Sequence, residues 1–155
     1  MKKELLFDMD GTIADLYSVE DWLKKLRAED PSPYREARPM YDMDTLSAVL
    51  EIFKGMGYRI AVVSWGSLGA SEAYDMEVKK AKIEWLNRFD FPYDEIHVVK
   101  YGTPKANFIK SETSILIDDN KEVRENFLES EKGQEKRTID ATLNIIEQLV
   151  NLLVA

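Results

Sequence analysis

The sequence predicts an α/β protein: a three-layer sandwich in which helices cover both faces of a mainly parallel β-sheet. Two observations favour this class. Short apolar runs of strand length alternate with longer segments whose apolar residues recur at helical spacing. The apolar runs also end in polar residues, which is typical of the carboxyl edge of a parallel sheet, where ligands bind.

The first half of the chain begins with a predicted strand at 5–7. Ser18 is the predicted cap of a first helix, and the apolar spacing of that helix places Trp22 in the core. The proline-rich stretch 30–39 interrupts the pattern and predicts an irregular loop. Asp44 is the predicted cap of a second helix, which ends at a pair of glycines.

The middle of the chain continues the alternation. The β-branched run 58–63 is the second predicted strand, and 96–99 is the third. Between them, 71–89 predicts a long helix with Trp85 on an apolar stripe and a solvated face of glutamates and lysines. Proline suits the first position of a helix, so 103–105 predicts another helix start.

The last third contains the fourth predicted strand, 115–117, followed by a polar helix. The chain closes with a predicted helix that starts at Ala141. We expect its inner face to consist of Leu143, Ile146, Val150 and Leu153.

Length and composition indicate one domain over residues 1–155, with 45% apolar residues and a substantial core. No stretch approaches the roughly 18 apolar residues of a membrane span, and the first residues do not resemble a signal peptide. The sequence has no cysteine, so disulfides and thiolate metal sites are excluded. We therefore expect a cytoplasmic protein with no membrane partner.

Charge further restricts the function. The net charge of −8 disfavours extended contact with nucleic acid, which needs a basic surface. The single histidine, His97, leaves little room for histidine-based catalysis. Any hydrolytic chemistry should therefore rest on carboxylates.

Polar side chains follow each predicted strand. The first strand is followed by Asp8 and Asp10, one suited to attack a substrate and the other to carry a proton. The remaining strand ends supply Ser64 with Trp65 and Gly66, then Lys105, then Asp118 and Asp119. Because parallel strands place their carboxyl ends at one edge, we expect these groups to converge.

Four segments resemble the motifs of the haloacid dehalogenase-like (HAD) superfamily of phosphatases. They are Phe-Asp-Met-Asp-Gly-Thr at 7–12, Val-Val-Ser at 62–64, Thr-Pro-Lys at 103–105 and Ile-Leu-Ile-Asp-Asp at 115–119. The resemblance covers most of the chain and implies a Rossmann-like sandwich. Within the superfamily, the proportions resemble small magnesium-dependent phosphatases and, more distantly, 5′(3′)-deoxyribonucleotidases.

The resemblance also implies residue roles. Asp8 would be the nucleophile that forms an aspartyl-phosphate, and Asp10 the general acid and then base. The predicted substrate-binding residues are Thr12, Ser64, Trp65, Gly66 and Lys105. The predicted Mg²⁺ ligands are Asp8, the backbone carbonyl of Asp10, and the pair Asp118 and Asp119. Of that pair we expect Asp119 to bind directly and Asp118 to act through water, although the sequence leaves their order open.

Substrate choice in this superfamily depends largely on inserted cap domains. About 50 residues separate Asp10 from Ser64, and the segment between Ser64 and Lys105 has room only for a helix and a strand. We therefore expect no large cap domain. Residues 16–40 are the candidate lid.

The resulting prediction is a magnesium-dependent phosphomonoester hydrolase that acts on a small phosphorylated metabolite or nucleotide. An open site would also suit a polynucleotide or protein phosphatase. A different class of function is a non-catalytic phosphate-binding interaction module. The presence of both Asp8 and Asp10 argues against the hypothesis of a non-catalytic module.

Overall fold

The computed structural model describes residues 2–155 and consists of short strands and helices that alternate along the chain. In chain order, the strands and α-helices are β1 Lys3–Phe7, β2 Ala14–Asp15, α1 Trp22–Arg27, α2 Ser32–Glu36, β3 Arg38–Pro39, α3 Met43–Gly55, β4 Tyr58–Trp65, α4 Glu72–Arg88, β5 Glu95–Val99, β6 Thr113–Asp118, α5 Lys121–Glu129, β7 Glu135–Asp140 and α6 Ile145–Leu153. Two 3-10 turns, Leu16–Ser18 and Lys105–Phe108, connect them.

The main sheet has five parallel strands in the order β5-β4-β1-β6-β7. The central strand is β1, where Leu5 pairs with Ile60 of β4 and with Ile115 of β6. The chain adds strands first on one side of β1 and then on the other. The carboxyl end of β1 therefore lies where the direction of winding reverses, which is the usual ligand site of such folds. The predicted fold class is confirmed.

The core has one layer on each side of the sheet. On one face, Leu5 and Phe7 pack in a cluster with Leu46 and Leu50 of α3. On the other face, Leu6 packs in a cluster with apolar residues of α5. Because β1 is buried on both faces, its sequence is a continuous apolar run rather than an alternating one. None of the helices in residues 2–155 is long and apolar enough to cross a membrane.

The first helix starts later than predicted. Ser18 ends a 3-10 turn and the next residue is extended, so helix α1 begins only at Trp22, after Asp21 in the left-handed region. Trp22 is half-buried rather than a core residue.

The cap of α3 is Asp42, two residues before the predicted Asp44. The Asp42 carboxylate accepts hydrogen bonds from the backbone N–H groups of Asp44 and Thr45, at 3.0 and 3.1 Å. Both aspartates suit a cap position, and the local hydrogen bonds decide between them.

The helix predicted at 103–105 is a single 3-10 turn. Pro104 is extended, and the Thr103 hydroxyl donates to the backbone carbonyl of Lys100 at 2.7 Å instead of capping a helix.

Strand β7 was not predicted. It lies at the edge of the sheet and only Ile139 within it is buried, so it leaves no apolar run in the sequence. The last helix also differs, since it is capped by Asn144 and buries Ile145 and Leu149. Leu143 and Val150, predicted to face inward, are 61% and 39% exposed.

Candidate active site

A cavity of about 450 Å³ opens at the carboxyl edge of the sheet. Its base carries the charged groups Asp8, Asp10, Lys105, Asp118 and Asp119. These side chains lie at or after the carboxyl ends of three strands, β1, β5 and β6, and the structure brings them together as predicted. The rest of the wall is largely apolar and comes from residues 16–34, 65–68, 101 and 120–123.

Asp8 is nearly buried directly after β1 and is held at both carboxylate oxygens. Lys105 donates to Oδ1 and the Thr12 hydroxyl donates to Oδ2, each at 2.9 Å. Burial alone would raise the pKa of Asp8, but Lys105, Asp119 and Thr12 hold that pKa below its ordinary value. Asp8 is therefore a fixed, ionised carboxylate at the base of the cavity.

Lys105 forms ion pairs with two carboxylates at once. Its ammonium donates to Asp8 at 2.9 Å and to Asp118 at 2.7 Å, and its side chain is only 3% exposed. Burial opposes its positive charge, but the two aspartates raise the pKa of Lys105 above its ordinary value. The 3-10 turn that begins at this residue delivers the side chain under the cavity.

The two aspartates after β6 differ in their surroundings. Asp118 accepts from Lys105 at Oδ2 and from the backbone N–H of Asn120 at Oδ1, so both of its oxygens have donors. Asp119 lies beside Gly11, where a Cβ atom would approach its Oδ2 to 2.3 Å. Gly11 also has a φ of +78°, so this position requires glycine twice over.

The carboxylates are crowded. Burial, followed by the charges of Asp8 and Asp118, raises the pKa of Asp119 to about 8. One carboxylate oxygen from each of these three residues lies within 4.8 Å of the others. Mg²⁺ prefers such oxygen ligands, and a cation would relieve the repulsion between them. The three side chains therefore fit a magnesium ion.

Asp10 has a partner that the sequence analysis missed. The ammonium of Lys82, on α4, donates to Asp10 Oδ2 at 2.9 Å, and Lys82 has no exposed surface. Burial raises the pKa of Asp10 above its ordinary value, and Lys82 opposes that rise. A signal was present, because Lys82 lies four residues after Val78 and three before Trp85 on the buried stripe of α4. The helix was predicted to carry a solvated face of glutamates and lysines, and Lys82 was not singled out.

The predicted substrate-binding residues occupy different places. Trp65 and Gly66 line the cavity, as does Lys105. Ser64 is buried within β4, and its Oγ accepts from Lys82 at 2.7 Å. Thr12 is fully buried and does not line the cavity; its described contact is the hydrogen bond to Asp8.

The mouth of the cavity is aromatic. On one side Trp65 and Tyr101 pack with ring centroids 5.0 Å apart, and on the other Tyr17 and Trp22 pack at 4.9 Å. The Trp65 indole N–H donates to the backbone of the loop before Lys105, which fixes its ring. Both pairs line the cavity.

Comparison with solved structures identifies the same architecture in phosphatases. The D,D-heptose 1,7-bisphosphate phosphatase of Burkholderia thailandensis is 14% identical, with a TM-score of 0.54, and the match covers 99% of this chain and 100% of that one. The D,D-heptose 1,7-bisphosphate phosphatase of B. bronchiseptica, complexed with magnesium and phosphate, is 10% identical, with a TM-score of 0.55 and coverage of 97% and 99%.

A further match is a chain of the Pnkp1/Rnl/Hen1 RNA repair complex, 16% identical with a TM-score of 0.56. It covers 90% of this chain, which spans only 43% of that larger chain. No protein-family model matches the sequence, and no curated protein matches it. At these identities the matches show a shared fold, and they agree with the fold that the HAD resemblance implied.

Proposed function

We propose that this protein is a magnesium-dependent phosphomonoester hydrolase that acts through an aspartyl-phosphate. The observation that carries the proposal is the convergence of Asp8, Asp118 and Asp119 beside Lys105 at the base of an open cavity. Carboxylates repel a phosphate dianion, so a module that only bound phosphate would gain nothing from three of them. Paired with a divalent cation, the same carboxylates suit phosphoryl transfer.

The proposed reaction has two steps. An oxygen of Asp8 forms a bond to phosphorus while the bond from phosphorus to the leaving oxygen breaks, and Asp10 gives its proton to that oxygen. Asp10 then takes a proton from a water molecule, whose oxygen attacks phosphorus and releases phosphate from Asp8. A bound magnesium ion would supply positive charge that lets the carboxylate approach the phosphoryl group.

The contacts of Asp8 support its role as nucleophile. Lys105 and Thr12 hold its two oxygens from different directions, so the carboxylate is already oriented before substrate binds. Such preorganisation lowers the entropic part of the barrier. Asp119 is our choice for the direct magnesium ligand, because it is half-buried and lines the cavity, whereas Asp118 is buried and is bound by Lys105 and the backbone of Asn120.

Residues 16–40 are the proposed lid. They contribute Tyr17, Trp22, Leu26 and Arg27 to the cavity wall, and within residues 2–155 no large cap domain covers the site. The aromatic mouth favours a leaving group with an apolar or aromatic face, such as a nucleoside. A sugar bisphosphate would need cations for its second phosphate, and apart from Lys105 the cavity wall contains only Arg27.

The decisive experiment is a panel of phosphomonoesters assayed with Mg²⁺, with EDTA, and with the variant Asp8→Asn. We expect magnesium-dependent turnover in the wild type and a fall to the background rate in Asp8→Asn. Exposed Asp44 supplies the matched control, and Asp44→Asn should retain full activity. Borohydride reduction of the turning-over enzyme, followed by mass spectrometry, should locate the phosphorylated aspartate at Asp8. Absence of magnesium-dependent turnover on every substrate, with ligand binding unchanged in Asp8→Asn, would falsify the proposal.

The same panel tests the aromatic mouth. We expect kcat/KM for nucleoside monophosphates to exceed that for sugar bisphosphates, and Trp65→Leu to reduce this preference by about tenfold through the loss of stacking. A Trp65→Leu enzyme that loses activity equally on both substrate classes would contradict the role in leaving-group recognition. Hydrolysis of phosphopolynucleotides or phosphoproteins in preference to either class would favour the alternative of an open-site phosphatase for large substrates.

A further inference from the structure

Lys82 is a buried cation whose position no motif of the sequence accounts for. It lies on α4, between β4 and β5, and has no exposed surface. Transfer of an ammonium group out of water is expensive unless the group is paired and hydrogen-bonded. A lysine in such a place has to be satisfied completely by its neighbours.

The three hydrogens of the Lys82 ammonium have three acceptors. They are Asp10 Oδ2 at 2.9 Å, Ser64 Oγ at 2.7 Å and the Trp65 backbone carbonyl at 2.8 Å. The ring of Tyr34 lies against the ammonium, 4.8 Å from the ring centroid. One side chain therefore joins the loop after β1 to the end of β4, and the lid residue Tyr34 covers the junction.

These hydrogen bonds have a direction. An ammonium group can only donate, so Ser64 Oγ must accept from Lys82. Ser64 is buried and does not line the cavity, so its hydroxyl oxygen serves to hold the Lys82 ammonium in place. In the same way Lys82 engages Oδ2 of Asp10, and because Asp10 lines the cavity, Oδ1 is the oxygen left for the substrate.

We propose that Lys82 is a positioning residue for phosphoryl transfer: it orients the Asp10 carboxyl toward the leaving-group oxygen. This inference rests on the proposed function of the site. Lys82 itself does not line the cavity and acts through Asp10, while Ser64 and the Trp65 carbonyl hold its ammonium in place. Lys105 has a different task, since it binds Asp8 and Asp118 on the other side of the site.

The variant Lys82→Met tests the proposal, because methionine has a similar length and no charge. Two aryl phosphates serve as probes: 4-nitrophenyl phosphate, whose leaving group needs little protonation, and phenyl phosphate, whose leaving group needs a proton. A mispositioned acid should lower kcat on phenyl phosphate by about 10². The fall on 4-nitrophenyl phosphate should be at least tenfold smaller. A merely structural role would lower both rates equally.

A double-mutant cycle with Asp10→Asn gives the second readout. If Lys82 acts through Asp10, Lys82→Met should add no leaving-group discrimination once Asp10→Asn has removed the acid. The control is Lys79→Met, the same substitution at an exposed position of the same helix, which should leave both rates unchanged. If Lys82→Met does not fold, as judged by circular dichroism, Lys82→Gln carries the same test.

Equal losses on the two aryl phosphates, additivity with Asp10→Asn, or full activity in a folded Lys82 variant would each overturn the inference. A wild-type enzyme without magnesium-dependent turnover would instead defeat the proposed function. The two failures are therefore distinguishable, because the wild type is measured before any Lys82 variant.

Discussion

At both ends of the sheet, buried carboxylates meet cations, but the two ends are organised differently. At the amino end, Glu4 has no exposed surface and accepts from the Ser114 hydroxyl at 2.6 Å and from the backbone N–H groups of Lys110 and Ser111 at 3.0 and 3.2 Å. Arg59 completes the set at the other oxygen of Glu4. We call these five residues the amino-end network.

At the carboxyl end, acids outnumber cations. Four carboxylates, Asp8, Asp10, Asp118 and Asp119, line a cavity. Two buried lysines, Lys82 and Lys105, pair with the first three of them. The pKa of Asp119 is raised to about 8, by burial and by its acidic neighbours. The comparison teaches that buried charge alone does not mark a functional site. A surplus of one sign beside open space is the better marker, because a bound cation or a proton has to balance it.

The largest effect should come from breaking the amino-end network with Glu4→Gln. The new amide nitrogen would face donors, either Arg59 or the N–H and hydroxyl groups at Oε2, and the half-buried guanidinium would lose one of its two carboxylate partners. We expect the free energy of unfolding to fall by about 3 kcal/mol. Urea unfolding measures this loss.

The control for that prediction is Glu125→Gln, which removes an exposed pair with Lys121 at 3.8 Å. It should change stability by no more than about 0.5 kcal/mol. Folded Glu4→Gln protein should retain its kcat, because Glu4 lies at the opposite end of the sheet. A loss below about 1 kcal/mol would show that the amino-end network is not structural in the sense proposed here.

At the carboxyl end, replacing a carboxylate by its amide should raise the free energy of unfolding instead of lowering it. Without metal, Asp119→Asn should stabilise the protein by about 1 kcal/mol at pH 7, because it removes a carboxylate that folding places beside Asp8 and Asp118. The folded pKa of Asp119 lies above the unfolded one, so this destabilisation of the wild type grows as pH rises from about 4 to about 8.

Bound magnesium should make the wild type more stable than Asp119→Asn. Addition of Mg²⁺ should raise the Tm of the wild type and raise that of Asp119→Asn much less, since the variant lacks the proposed direct ligand. Thermal unfolding with Mg²⁺ and with EDTA, at pH 5 and pH 8, measures both effects. An Asp119→Asn protein that is less stable than the wild type in EDTA would contradict the crowding argument.

The smallest effect concerns Glu95, which borders the amino-end network. The pKa of Glu95 is lowered to about 2. The largest cause is the hydrogen bond from Lys110, followed by the hydrogen bond with His97 and the positive charge of Arg59. Because the folded pKa is below the unfolded one, this contribution is present above about pH 4.5 and is lost as pH falls toward 2. Glu95 is partly exposed, so Glu95→Gln should reduce stability at pH 7 by less than about 1 kcal/mol.

Acid titration of unfolding measures the Glu95 contribution. The difference in free energy of unfolding between wild type and Glu95→Gln should become smaller as pH falls from about 4.5 toward 2. Salt at about 1 M should also reduce this difference at neutral pH. A difference that widens toward low pH would reverse the assigned sign.

Local features of the fold could be predicted from the sequence. The strand-end aspartates could be read directly, because a continuous apolar run marks a buried strand and polar residues after it mark an edge. Boundaries were less accurate. Asp42 and Asp44 both suit a helix cap, and only the hydrogen bonds in the structure identify Asp42 as the cap.

Two features that depend on residues distant in the chain, strand β7 and the burial of Lys82, could not be predicted. Strand β7 forms by pairing with β6 and needs no apolar run, because its only buried residue is Ile139. Lys82 was not singled out, because lysine is rarely buried. Its spacing pointed inward, but only the positions of Asp10 and Ser64 explain how it can stay there.

The sequence by itself determined the alternation of strands and helices, the groups at each strand end and the absence of cysteine chemistry. These follow from short-range periodicity and residue type, which are written in adjacent positions. Tertiary structure alone decided that three carboxylates meet within 4.8 Å, that Thr12 supports Asp8 from within the core, and that Lys82 joins Asp10 to Ser64. The physical reason is that hydrogen bonds and charge interactions act over a few ångströms, and only folding brings residues 8, 64, 82, 105 and 118 within that range.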